Sequence, residues 1–74
     1  MNALQARINQ LSTATLKATL GMLDQQIANL RKTDAVAEIQ NRQSVRFEVI
    51  STLELRDVAF VDSYFAARRE MVGA

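Results

Sequence analysis

Leucine at helical spacing constrains this chain most. Leu16, Leu20, Leu23, Ile27 and Leu30 recur at steps of four and three, which puts all five on one narrow stripe of an α-helix. The far side of the same helix carries Ala14, Ala18, Gly21 and Ala28. A helix that is apolar on one face and small on the other calls for cover on both. Small side chains let a second backbone approach closely. Gly21 costs about 1 kcal/mol relative to alanine in a helix interior, and close approach would give it a purpose. The pattern predicts an all-α protein in which these four small residues form a self-association face.

Length sharpens that expectation. The 74 residues suffice for one domain, residues 1–74, with a small core. The chain has no cysteine for a disulfide and no histidine, so the commonest metal ligands are missing. Association with another copy is the remaining common way to bury more surface. Proline is absent and there are two glycines, a composition that favours helices over turns. No apolar run approaches the roughly 20 residues needed to cross a bilayer. The opening MNALQARINQL has no apolar secretory core, so a cytoplasmic protein is expected.

Leu4, Ile8 and Leu11 make a short amphipathic segment over residues 2–11. Its stripe breaks at Ser12-Thr13, either of which is a natural N-cap for a main helix over 13–31. Arg31 and Lys32 suit the C-terminal end of that helix. Asp34 is the next cap candidate, opening a helix over 35–54 with the stripe Val36, Ile39, Phe47 and Ile50. Gln43 and Arg46 interrupt that stripe. Val58, Val61, Tyr64 and Phe65 keep roughly the same phase, but a continuous helix then puts Glu54 and Asp57 near the middle of the apolar face. A break at 55–57, with Asp57 capping a helix over 58–72, removes the conflict. No glycine or proline marks the break, and one long helix is the alternative. The expected fold is a helical hairpin or three-helix bundle completed by dimerisation.

Val45 and Val49 fall one turn apart, off the expected stripe of their helix, and Phe60 falls off that of the next. They predict a second apolar patch that contacts a partner protein, since aromatic anchors are enriched at binding hot spots. Arg42 and Arg46, spaced i, i+4, would form its polar rim. The same two arginines with Arg31 and Lys32 support a different reading, a small DNA- or RNA-associated regulator. Arg68-Arg69 adds a late basic pair. Against this, nine basic and eight acidic residues leave a net charge of +1, and Glu38 precedes Arg42 in the favourable pairing orientation. A third reading is a structural assembly subunit. Without imidazole or thiol, and without a glycine-rich phosphate loop, the sequence predicts no enzyme, no cofactor and no metal.

The opening Leu4-Gln5-Ala6-Arg7-Ile8, followed by Leu11-Ser12-Thr13 and Leu16, resembles the start of small helical accessory proteins carried by bacterial phages and plasmids. The segment Val58–Ala66 (VAFVDSYFA) adds to the likeness, which covers the first third of the chain and this one late patch. The resemblance implies a small regulator, adaptor or inhibitor that occludes a partner protein surface with a helix face. It supplies no active-site residue.

Overall fold

The computed structural model describes residues 3–73, with side-chain surroundings for residues 3–68. Four helices follow one another: α1 (Ala3–Gln10), α2 (Thr13–Leu30), α3 (Val36–Arg56) and α4 (Val58–Gly73). Among the described residues there is no strand. α2 and α3 form an antiparallel hairpin, in which Gln26 meets Arg42 and Asp24 meets Arg46. α4 folds back along the pair and reaches α2 through Lys17–Asp57 and Asp24–Tyr64. α1 lies on the other side of α3, where Gln5 Nε2 donates to Glu48.

Ser12 starts α2. Its backbone is extended, and its hydroxyl accepts the N–H of Thr15 at 3.1 Å, satisfying one donor that the first turn leaves open. The leucine stripe then faces inward: Leu16, Leu20, Leu23 and Ile27 are all buried, and Leu30 is half-buried. Ile8 from α1, Val49, Ile50 and Leu53 from α3, and Val61 from α4 complete the core around α2.

The turn differs from the expectation at Asp34, which does not cap α3. Its φ is 57°, the left-handed region that Asp tolerates better than most residues. Its carbonyl accepts from Val36 N–H at 2.9 Å. Ala35 precedes the helix and has no side chain able to cap it.

The face of α3 also differs. Val36 and Phe47 are 61% and 66% exposed, whereas Val49 is 1% exposed and Leu53 fully buried. The inward line is Val45, Val49 and Leu53, accompanied by Arg42 and Arg46. Two arginines can occupy this side because α2 offers Gln26 and Asp24 opposite them. Of the expected stripe, Ile50 is buried and Ile39 half-buried, so hydrophobicity alone located only part of the inward face.

The break before α4 falls at Asp57. Its backbone N–H still bonds Leu53 C=O at 2.7 Å, while its carboxylate accepts the N–H of Phe60 at 3.1 Å and so opens the next helix. One residue thus ends α3 and caps α4, without glycine or proline. Glu54 is left exposed, as a break allows.

Arg56 closes α1 from a distance. Its guanidinium donates to the carbonyls of Leu11 at 2.6 Å and Asn9 at 2.9 Å, at an end where helices leave carbonyls unpaired. Arg56→Ala is expected to fray α1 at a cost of about 1 kcal/mol, modest because the site is exposed. Amide hydrogen exchange should speed up over residues 4–10 and stay unchanged in α2.

The molecule measures 32 × 29 × 17 Å along its principal axes. Its radius of gyration is 13.0 Å, against about 11 Å for a compact chain of this length. The chain exposes 5284 Å², where a compact monomer of its mass would expose roughly 4,600 Å².

Candidate functional site

The most connected polar group in the fold is the Asp24 carboxylate, on the flank of α2 between α3 and α4. It accepts from Arg46 Nε at 2.8 Å, Tyr64 OH at 2.5 Å and Arg68 Nη1 at 3.1 Å. Arg46 also donates through Nη2 to Tyr64 OH at 2.8 Å. The Tyr64 ring has the Arg46 guanidinium 5.6 Å and the Arg68 guanidinium 5.3 Å from its centroid, within cation–π range. Phe60 stacks on the same ring and Phe65 meets it edge-on. Asp24 and Arg46 keep only 18% and 23% of their side-chain surface exposed, so this pair is better shielded from solvent than an ordinary surface ion pair.

These contacts shift two of the titrations. Burial pulls the Arg46 guanidinium down, but its bonds to Tyr64 and Asp24 outweigh that and hold it above its ordinary value. Burial pushes the Tyr64 phenol up, and the bond to Asp24 adds to it, against the opposing effect of Arg46. At the start of α4, the hydrogen bond from Lys17 and the Phe60 N–H hold Asp57 below the usual carboxylate range. Lys17 Nζ lies 2.9 Å from Asp57 and 4.7 Å from the Phe60 ring centroid.

Beside the Asp24 network lies a cleft of about 280 Å³. Arg31, Gln43, Arg46 and Arg68 line it with Asp24, over a floor of Ile27 and Ala28. The Arg31 guanidinium has no hydrogen bond or ion pair among the described residues, while its backbone N–H closes α2 on Ile27 C=O at 3.0 Å. No group of three or more His, Cys, Asp or Glu residues that could hold a metal ion occurs among the described residues. No helix there is long and apolar enough to cross a membrane.

The expected partner patch is not on the surface as a unit. Val49 belongs to the core, and Val45 and Phe60 are half-buried against it. Phe60 is covered by Lys17 on one side and Tyr64 on the other. Arg42 and Arg46 are not a free rim, because both are half-buried and bonded to α2. Of the basic set, Arg31 and Arg46 share the cleft, Lys32 is exposed, and Arg42 reaches Gln26 instead. Arg69 lies outside the residues with described side chains.

The exposed apolar side chains are others. Phe47, Val36 and Leu55 stand on the outer side of α3, with Val58 at the start of α4 and Met22 on α2. Around Phe47 runs a shallow groove walled by Gln40, Gln43, Ser44 and Glu48. The four small residues of α2 are all exposed, and nothing within 4 Å would meet a Cβ added to Gly21. In dilute solution Gly21→Ala should therefore raise stability by about 1 kcal/mol through helix propensity alone. Thermal unfolding checks this. A lower melting temperature would mean that the site is already occupied in the folded state.

Compared with known protein families, curated proteins and solved structures, the chain matches none.

Proposed function

We propose that this chain is a non-enzymatic protein-binding module that self-associates and covers a surface of a partner protein. The observations that carry this reading are the exposed, uncharged small residues on the outer side of α2 and the 66% exposed Phe47 on α3.

Two faces supply the contacts. The outer side of α2 joins two copies through Ala14, Ala18 and Gly21, with Ala28 where that side meets the cleft, all four exposed and uncharged. At Gly21 nothing lies within 4 Å of where a Cβ would stand, so a second backbone has room there. The outer side of α3 meets the partner protein, with Phe47 as anchor and the amides and hydroxyls of Gln40, Gln43 and Ser44 around it. An aromatic ring within a weakly charged polar surround has the make-up of a binding hot spot. This surface replaces the patch of Val45, Val49 and Phe60 expected from the sequence.

Paired substitutions separate the two contacts. Gly21→Leu leaves the single copy folded but blocks close approach of a second backbone, so the solution mass falls to that of one chain. Phe47→Glu places a charge on the partner face and leaves that mass unchanged, while affinity capture from the source cell loses the partner retained by the unmodified chain. The reading fails if both variants behave like the parent in mass and capture.

A further inference from the structure

We propose that the cleft between α2, α3 and α4 binds a doubly charged tetrahedral oxyanion, a phosphate group, on Arg31, Arg46 and Arg68. Among the described residues, three guanidiniums line this cleft against one carboxylate, Asp24. That carboxylate already accepts from Arg46, Tyr64 and Arg68. The arginines are not exhausted in the same way, because each guanidinium carries five N–H donors. Arg46 uses Nε and Nη2 in its bonds to Asp24 and Tyr64, which leaves Nη1 for a further acceptor. Arg68 uses Nη1 alone. The Arg31 guanidinium makes no hydrogen bond or ion pair among the described residues.

The site is also built in advance. Asp24 anchors two of the guanidiniums, and the Tyr64 ring stands within 5.6 Å of one and 5.3 Å of the other. Ordering these long side chains is a cost met on folding rather than on binding. Gathering like charges in one cleft is unfavourable until an anion enters, and guanidinium forks match the oxygens of phosphate. Among the described lining residues the excess of two positive charges matches a dianion better than a single carboxylate. The volume, about 280 Å³, lies below the roughly 300–1,000 Å³ of sites for drug-sized ligands. It suits an ion or a terminal phosphate, not a whole nucleotide. This inference does not depend on the protein-binding reading.

Tyr64 reports on the site directly, being the only tyrosine in a chain without tryptophan. Its fluorescence is titrated with inorganic phosphate at ionic strength held constant with sodium chloride. A saturable change with a Kd in the millimolar range or tighter is expected, with sulfate competing and acetate binding more weakly. Arg31→Gln, which breaks no bond of the fold, should weaken phosphate about tenfold, as expected for loss of a charge-assisted hydrogen bond. Lys32→Gln, next to it but outside the cleft, should not. Far-UV circular dichroism confirms that both variants are folded. A linear response that chloride reproduces would overturn the proposal, as would an unchanged phosphate affinity in Arg31→Gln. Binding of a short DNA duplex with no response to free phosphate would also overturn it, and would point to a basic surface reading a nucleic-acid backbone.

Discussion

Replacing Leu53 by alanine is expected to remove about 3 kcal/mol of stability and to lower the melting temperature by about 15 °C or more. Leu53 is fully buried in α3 and belongs to the cluster formed with Leu16, Leu20, Val49 and Val61. The helices on both sides hold their positions through other contacts, so the void collapses only in part. A chain of this size has only about 4–11 kcal/mol to lose, and the variant should be partly unfolded at moderate denaturant. Leu55, two residues along, is 90% exposed. Its replacement by alanine should change stability by no more than about 0.5 kcal/mol. Urea unfolding followed by circular dichroism compares the two, and similar midpoints would mean that α3 is turned the other way.

The second large effect is expected at Asp24. Asp24→Ala removes a shared acceptor from Arg46, Tyr64 OH and Arg68, and a cost of about 2 kcal/mol is expected, mostly at the half-buried Arg46 and Tyr64. Arg68→Ala, with its side chain 46% exposed, should cost less than about 1 kcal/mol. Replacing Asp24 and Arg46 together by leucine and methionine should recover part of the loss, because the shielded pair is removed as a unit and the charge left behind, Arg68, is 46% exposed and can be solvated.

The Tyr64 titration gives a second measure of the same network. Its phenol ionises above the ordinary value of 10.0 in the fold. Its contribution is therefore complete below the unfolded value and is lost as pH rises through the folded one. The stability of the parent should fall on the alkaline side in step with tyrosinate absorbance. In Asp24→Ala the phenol keeps Arg46 and loses the anion, so tyrosinate should appear at lower pH than in the parent. Asp57 acts at the other extreme. Its carboxyl lies below its ordinary value of 3.8, so its contribution is present above that value and is lost as pH falls through the lowered one.

The helices that could be read from the sequence are those whose signals agree. In α2, a serine cap precedes an unbroken leucine period, and both its start and its inward face follow. The start of α4 was legible for a similar reason: Asp57 would have been a misplaced core carboxylate in one long helix and becomes a cap if the helix breaks. The face of α3 was legible only in part, at Ile39 and Ile50. Phe47 drew the apolar stripe toward itself, whereas Arg42 and Arg46 made the true inward line look polar. What corrects this is Asp24 and Gln26, which lie on another helix and become partners only through the hairpin. The same limit applies to the candidate site. Arg31, Arg46 and Arg68 are far apart in sequence, and nothing in their local spacing joins them. The i, i+4 spacing of Arg42 and Arg46 suggested a shared rim, but each is taken up by a different residue of α2. An acidic residue on the flank of an apolar helix, such as Asp24, was the available signal, since it requires a cation from a neighbouring element.

Sedimentation equilibrium over about 1–200 µM, the range in which a moderately stable dimer dissociates, tests self-association most directly. The weight-average mass should rise from 8.3 kDa toward twice that value, and Gly21→Leu should abolish the rise. A mass that stays at 8.3 kDa throughout, with Gly21→Leu indistinguishable from the parent, would contradict it and leave the outer face of α2 as bare solvated surface.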